Sequence, residues 1–172
     1  RTDVELLVSM LAEIDGINDL TLTTNGFLLA QKAQALREAG LHRVTVSLDS
    51  LDDDVYKEMS GRGHDTKRVL EGIRVAEEVG LRPIKINAVV QRGVNDHTIV
   101  ELARHFKGTG HIVRFIEFMD VGSLNDWKLD RVVPSADVIE RIDSVFPLEP
   151  VEPSYPGEVA ERYRYRDGSG EI

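Results

Sequence analysis

Four segments of the chain place hydroxyl, charged or sulfur-containing side chains among apolar residues. They are LTTNG (22–26), VSLDS (46–50), KIN (85–87) and RFIEFMD (114–120). Thr23 and Ser47 offer hydroxyl groups, Lys85 and Arg114 offer positive charges, and Met119 offers a polarisable thioether. Cations and hydroxyls that converge at one place are suited to bind an anionic small molecule.

Both cations also have ordinary structural explanations. Lys85 could extend to solvent along its aliphatic stem, or pair with Asp49. Arg114 could form a structural ion pair with Glu117. These alternatives stay open at the level of sequence.

The uncharged candidates are ambiguous as well. Thr23 and Ser47 could be small residues that fill space between strands, and Met119 could belong to the core. The histidines are scattered without metal-ligand spacing, and GxSxG, Walker A and GxGxxG motifs are absent. No single motif therefore defines a reaction class.

The elements that must position these residues alternate between strand and helix. Apolar residues at helical spacing predict helices over about 4–14, 30–39 and 66–79. Further helices are predicted in a stretch that ends near residue 107 and in SADVIERIDSVF, and a short helix is predicted after Ser50. Thr2 and Glu5 predict a capping box, and Ser135 predicts a helix cap. Strands are predicted in DLTLTTNG, RVTVSLDS, IKINAVVQ and HIVRFIEFMD. This repeat predicts right-handed crossovers and a parallel sheet.

Three of the predicted strands carry one polar face. On strand alternation Lys85 and Asn87 lie opposite Ile84 and Ile86. We interpret the polar face as the lumen of an incomplete parallel (β/α) barrel, because four strands cannot close one. An ordinary α/β sheet with one partly exposed face is the alternative. In a barrel, ligands bind at the C-terminal strand ends, here expected at 23–25, 47–49, 85–87 and 117–120.

The pattern changes after Asp120. A loop is expected there, and prolines then recur at every third position, namely Pro147, Pro150, Pro153 and Pro156. This spacing predicts an extended, polyproline-like crossing segment, with a PxxP docking ligand as an alternative. The last residues predict a hairpin with its turn at 167–170. We therefore expect a partial barrel over 1–146, and over 147–172 a crossing segment and truncated hairpin that lead to a missing C-terminal region.

Composition limits the classes of function. The net charge of −9 argues against a nucleic-acid or anionic-membrane surface. The sequence has neither an apolar run that could cross a membrane nor a signal peptide, so the cytoplasm is the expected compartment. With no cysteine, the 172 residues supply no disulfide and no thiolate ligand. A homodimer is left open. These features indicate a small-molecule enzyme and no more.

Longer stretches of the chain resemble the molybdenum cofactor biosynthesis protein A family, the radical S-adenosylmethionine GTP 3′,8-cyclases. They are LTTNG, VSLDSLDD, KINAVVQRGVND, RFIEFMDVG and PSYPGEVAERYRY, and the resemblance covers essentially the whole chain. It implies a lyase with a partial barrel in which a [4Fe-4S] cluster donates an electron to S-adenosylmethionine. The resulting 5′-deoxyadenosyl radical abstracts hydrogen from the ribose of GTP, and rearrangement gives the cyclised pterin precursor.

The resemblance also implies roles for individual residues. Thr23 and Lys85 match positions that contact GTP, with Arg114 as a further candidate on the GTP side. Ser47 and Met119 match positions that contact S-adenosylmethionine. Simple alternation places Arg114 opposite Met119, unless the strand ends or bulges between them.

Parts of the family pattern are absent from the chain. The CxxxCxxC cluster motif, the GGEP motif, and the C-terminal cysteines with their GTP-binding arginine segment do not occur. We therefore interpret the chain as an internal fragment that is inactive alone. Two other interpretations stay open: a non-catalytic barrel remnant or binding module, and a metal-free, aldolase-like phosphate-binding barrel in which Lys85 forms a Schiff base.

Overall fold

The computed structural model describes residues 2–61, 63, 65–119, 129–153, 155 and 157–172. Its helices are α1 (Val4–Ala12), α2 (Leu29–Glu38), α3 (Asp53–Ser60), α4 (Thr66–Glu78), α5 (Ile99–Phe106) and α6 (Ser135–Asp143). Its strands are β1 (Thr21–Thr24), β2 (Arg43–Ser47), β3 (Lys85–Val90), β4 (Ile112–Glu117), β5 (Leu148–Val151) and β6 (Arg162–Tyr165). Among the described residues, no helix combines the length and hydrophobicity that a membrane span needs.

The central sheet has four parallel strands in the order β1-β2-β3-β4, which is also their order along the chain. A helix lies between each strand and the next, as the strand–helix repeat predicted. The predicted α/β class with a parallel sheet is therefore confirmed.

One face of this sheet is buried beneath the helices. Along β3, buried and half-buried residues alternate, and Ile86, Ala88 and Val90 are at most 1% exposed. They belong to one hydrophobic core with residues of α2, α4 and α5. Burial of this apolar face stabilises the sheet by roughly 25 cal/mol per Å² removed from water.

Helices α2 and α4 approach each other closely next to the end of β1. Gly26 has a left-handed φ of 76°, and a Cβ atom built there would lie 2.8 Å from the Cγ1 of Val69. A Cβ atom on Gly72 of α4 would lie 2.9 Å from the carbonyl oxygen of Gly26. Gly26 of the TTNG segment therefore ends β1 and also allows α4 to pack against the start of α2.

The C-terminal strands form a separate antiparallel pair. Leu148 pairs with Tyr165 and Pro150 with Tyr163, so this proline segment forms a strand and the predicted polyproline-like conformation is wrong for Leu148–Val151. The chain reverses at the predicted turn, where Tyr165 donates to the carbonyl of Gly170. The loop predicted after Asp120 is largely outside the described residues, as is Pro156.

Two predicted helix caps are wrong. Asp3 precedes α1 and Glu5 pairs with Lys32 of α2, so no capping box forms. Ser135 is the first residue of α6, and its N–H and hydroxyl both donate to Glu117 of β4, at 2.6 and 2.9 Å. In both cases a charged residue contacts a distant part of the chain.

A buried histidine, His111, precedes β4 and lies beside charged side chains. Its ring is 3.7 Å from the carboxylate of Glu77, which also lies 3.2 Å from the guanidinium of Arg82. Burial lowers the pKa of His111, and the positive charge of Arg82 lowers it further against the opposing effect of Glu77. The unfolded chain therefore binds the proton more readily than the folded chain does.

We expect the free energy of unfolding to fall as the pH drops below about 6.5, the ordinary pKa of histidine, toward the lower folded value. In a His111→Gln variant this part of the slope should be missing, since glutamine does not titrate. Urea denaturation of both proteins between pH 7 and pH 5 measures how the free energy of unfolding depends on pH. The contributions of the other titrating groups cancel when the two proteins are compared. Equal slopes would show that His111 is not the cause.

Candidate functional site

The polar side chains of the central sheet lie in rows across its second face. Residues paired between neighbouring parallel strands share a face, and the strands are about 4.8 Å apart. The first row consists of Thr23, Thr45 and Lys85, and the second of Ser47, Asn87 and Arg114. Successive rows are roughly 6.6 Å apart along the strands. All the strand-borne candidates therefore lie on one face, opposite the helices.

Lys85 lies at the N-terminal end of β3, since it is the first residue of that strand. The expectation that residues 85–87 lie at a C-terminal strand end is therefore wrong. The reason is that Val89 and Val90 continue the strand beyond the polar pair. Met119 follows the end of β4 at Glu117, so strand alternation does not constrain it relative to Arg114.

In the part of the chain that the structure describes, neither cation forms an ion pair with an acidic residue. Within the described ranges, no carboxylate lies within 4.0 Å of Lys85 or Arg114. Asp49 instead accepts the backbone N–H of Val89, and Glu117 binds Ser135, so both ion pairs considered from the sequence are wrong. Burial, followed by the positive charges of Arg114 and Arg43, lowers the pKa of Lys85.

A cavity of about 940 Å³ runs along the outer edge of β4, and we call it the β4-edge cavity. Lys85 and Arg114 line it together with Arg43, Arg162, four glutamates (Glu117, Glu158, Glu161 and Glu171) and apolar residues of β4 and α6. Arg43 pairs with Asp19 and Arg162 pairs with Glu171. Lys85 and Arg114 are therefore the cations of this lining that have no carboxylate within 4.0 Å among the described residues, while the negative charge of Glu158 acts on Lys85 from a longer distance.

A second cavity, of about 530 Å³, lies at the C-terminal ends of β2, β3 and β4, and we call it the strand-end cavity. Met119 lines it with Met59, Val94 and Phe118, so most of its wall is apolar. Met119 is 53% exposed, which rules out a place in the core. The two cavities share the wall formed by Ile116 and Glu117.

The hydroxyl candidates are positioned differently from the cations. Thr23 is exposed and Ser47 is half-buried, and neither lines one of the two cavities. No hydrogen bond joins either hydroxyl to another described residue. The structure thus brings Lys85 and Arg114 into one cavity, Met119 into the neighbouring one, and Thr23 and Ser47 onto the open face beside them.

Asn87 is a further candidate for the site, which sequence reasoning did not assign. Its Oδ1 atom is buried and has no hydrogen-bond donor among the described residues. A buried acceptor without a partner costs about 1–3 kcal/mol, and Asn87 lies between Ser47 and Arg114 in the second row. Its position next to Lys85 in KIN was the only signal in the sequence, and residue type alone could not reveal the missing donor.

The residues of this chain could bind only some of the groups that the resemblance implies. An iron–sulfur cluster does not fit, because none of the 172 residues is cysteine. Across the described residues, no three His, Asp or Glu side chains are grouped to hold a metal ion. A hydroxyl-bearing ligand fits the second row, where the hydroxyl of Ser47 and the unpaired oxygen of Asn87 lie on neighbouring strands.

Two protein-family models match the chain. The Radical SAM superfamily model matches residues 1–106, and the Molybdenum Cofactor Synthesis C model matches residues 111–172. Together they cover both the central sheet and the C-terminal strand pair.

The chain is similar to several proteins named GTP 3′,8-cyclase. It is 52% identical over all 172 residues to that of Xanthomonas axonopodis pv. citri, of which it covers 52%. It is also 52% identical to that of Acidothermus cellulolyticus, covering 48%, and 43% identical over 167 residues to that of Staphylococcus aureus, covering 49%. The chain therefore spans about half the length of these relatives.

Solved structures with a similar fold carry the same superfamily name. A radical SAM methyltransferase from Sphaerobacter thermophilus matches with a TM-score of 0.55 and 23% identity, over 72% of this chain and 36% of that one. Coproporphyrinogen III oxidase from Escherichia coli, a radical SAM enzyme, matches with a TM-score of 0.63 and 10% identity, over 83% and 36%. The two structures support the fold, and because the Radical SAM superfamily model matches more than half of the chain, the chain belongs to the radical SAM superfamily.

Proposed function

We propose that the chain is the central barrel part of a GTP 3′,8-cyclase, a lyase of molybdenum cofactor biosynthesis. The proposal includes GTP as substrate and S-adenosylmethionine as cosubstrate. It is supported by the similarity to relatives of that name and by the two family models.

One observation carries this proposal: Lys85 and Arg114 line a single cavity, and neither has a described acidic partner. In a protein with a net charge of −9, unpaired cations on one face provide a local site for an anion. The cavity volume of about 940 Å³ is within the range of small-molecule sites. The triphosphate of GTP is an anion of suitable size.

The proposed roles follow the two cavities. Lys85 and Arg114 bind the phosphates by charge-assisted hydrogen bonds, and an anion at this place favours the protonated form of Lys85, against the burial that lowers its pKa. Thr23, roughly 10 Å from Lys85 across β2, offers a hydroxyl to the same nucleotide. Both cavities are lined by Ile116 and Glu117, which supports the binding of two ligands side by side.

The strand-end cavity is proposed for the adenosyl part of S-adenosylmethionine. Met119 supplies an apolar contact, while Ser47 and Asn87 offer hydrogen bonds on the adjoining face. When bound in the complete enzyme, S-adenosylmethionine supplies the radical that removes a ribose hydrogen. The residues described here bind and orient the two ligands, and the cluster ligands lie elsewhere.

Further parts of the proposal concern organisation and setting. We propose that residues 1–146 form the barrel part and that residues 147–172 lead into a C-terminal region. We also propose that the enzyme acts in the cytoplasm, where GTP is available, and that it forms a homodimer. No nucleic-acid partner is proposed, given the net charge of −9.

The proposal predicts that a full-length cyclase that carries this chain cleaves S-adenosylmethionine and that the chain alone does not. After anaerobic reconstitution with iron, sulfide and a reductant, residues 1–172 alone should yield no 5′-deoxyadenosine, since they contain no thiolate. The full-length protein should yield 5′-deoxyadenosine in a GTP-dependent reaction. Stoichiometric cleavage by the chain alone, or a full-length protein indifferent to GTP, would contradict the proposal.

A further inference from the structure

Backbone pairing between β2 and β3 ends earlier than β3 itself. The last backbone bond between the two runs from the N–H of Leu48 to the carbonyl of Asn87, at 2.9 Å. β3 then continues to Val90, while the chain after β2 turns toward α3. The N–H and C=O of Val89 point toward the missing part of β2, because alternate residues of a parallel strand face the same neighbour. Both groups need other partners.

Two side chains provide these partners. The Oδ1 atom of Asp49 accepts the N–H of Val89 at 2.9 Å, and the Nδ2 atom of Asn95 donates to the carbonyl of Val89 at 2.7 Å. The same Nδ2 donates to the carbonyl of Asp49 at 2.8 Å, and the Oδ1 of Asn95 accepts the N–H of Gln91 at 2.8 Å. Asn95 is 2% exposed, so its amide is fully paired inside the protein. We call Asp49 and Asn95 the strand-end clamp.

The clamp holds the sheet one step beyond the second row of the candidate site. Asp49 is two residues after Ser47, and Val89 is two residues after Asn87. Asp49 and Val89 also line the strand-end cavity. The clamp therefore continues the β2–β3 pairing one step beyond the backbone bond between Leu48 and Asn87, and it keeps the ends of the two strands together beside that cavity.

We propose that Asp49 is a positioning residue for S-adenosylmethionine, which acts with Asn95 by holding Ser47 and Asn87 in place and does not contact the ligand. This inference rests on the proposed function. It also gives a physical role to two stretches that the resemblance singled out, because Asp49 belongs to VSLDS and Asn95 to GVND. The two stretches are joined by hydrogen bonds at the ends of neighbouring strands.

The geometry requires an acceptor at position 49 and does not require a charge. Asparagine places an amide oxygen where the carboxylate oxygen lies, so Asp49→Asn should keep the bond to Val89. Alanine removes the acceptor and leaves the N–H of Val89 unpaired beside the cavity. A residue that bound the ligand through its charge would instead lose its function in both variants.

The experiment compares Asp49→Asn, Asp49→Ala and the exposed control Asp54→Ala in a full-length cyclase that carries residues 1–172. Dissociation constants for S-adenosylmethionine and GTP are measured by calorimetry, and circular dichroism checks folding. Hydrogen exchange of the Val89 amide reports the clamp without any ligand. If Asp49→Ala does not fold, Asn95→Ala breaks the same clamp from its other side and should give the same pattern.

We expect Asp49→Ala to bind S-adenosylmethionine about tenfold more weakly, with GTP affinity changed by less than about threefold and faster exchange at Val89. Asp49→Asn and Asp54→Ala should stay within about twofold of the unmodified protein for both ligands. Equal loss in the Asn and Ala variants, or equal loss for both ligands, would overturn the inference. An unmodified protein that binds neither ligand, yet protects Val89, would overturn the proposed function and leave the clamp a purely structural role.

Discussion

Replacing Lys85 with alanine in a full-length cyclase that carries this segment is expected to weaken GTP binding about ten- to a hundredfold. A charge-assisted hydrogen bond contributes roughly 1.5–3 kcal/mol when both partners are in place, and about 1.4 kcal/mol corresponds to a factor of ten. Lys85 is half-buried and has no carboxylate within 4.0 Å among the described residues, so under the proposed function the phosphates of GTP are its counter-charge. Titration calorimetry with GTP measures the loss.

Guanosine and S-adenosylmethionine separate this role from a structural one. Guanosine lacks the phosphates, so its affinity should change little in Lys85→Ala. Ser47→Ala should act on S-adenosylmethionine instead, and Lys67→Ala, an exposed lysine on α4, should affect neither ligand. If Lys85→Ala weakened binding of all three ligands alike, the lysine would be stabilising the sheet. A Schiff-base lysine would be identified by borohydride trapping with a carbonyl substrate.

The largest loss of stability is expected from Gly26→Ala. At a φ of 76° an alanine costs about 1–2 kcal/mol, and its Cβ would also lie 2.8 Å from Val69 and 3.1 Å from Val46, which are both fully buried. Overpacking of a core adds about 1–3 kcal/mol, for a total of roughly 2–5 kcal/mol. The melting temperature should fall by roughly 5–15 °C, measured by circular dichroism.

A second left-handed glycine isolates the packing contribution. Gly61 follows α3 with a φ of 61°, and no atom lies within 4 Å of a Cβ built there. Gly61→Ala should therefore cost only the backbone strain of about 1–2 kcal/mol. Equal losses at Gly26 and Gly61 would show that the α2–α4 approach is looser than the structure indicates.

The elements were predictable from the sequence because their patterns are local. Helix α4, predicted over 66–79 and observed at Thr66–Glu78, shows its apolar stripe within the segment itself. The error at the start of α6 was not avoidable from local sequence, since the partner of Ser135 is Glu117, eighteen positions earlier on another element. The same limit applies to Gly26 and Gly72, whose close approach depends on how two helices pack.

For the candidate site too, the sequence predicted the local features and missed the contacts between distant segments. Alternation alone places Lys85 and Asn87 on one face, and the strand register agrees. Alternation does not say where a strand begins, so Lys85 was expected at the wrong end of β3. The bond between Asn95 and Asp49 joins residues 46 positions apart and leaves no local trace in the sequence. The reaction itself was indicated by family resemblance, not by the chemistry of any single residue.

The strand order has a consequence for how the chain acquires its structure. Each central strand after β1 pairs with the strand that precedes it in the chain, so no pairing in this sheet must wait for a segment synthesised much later. The sheet can therefore grow one strand–helix unit at a time as the chain leaves the ribosome. During that growth, the newest strand always presents the unprotected edge, and the edge moves forward with synthesis. Chaperone recognition and aggregation during synthesis should therefore follow this moving edge and not a fixed segment.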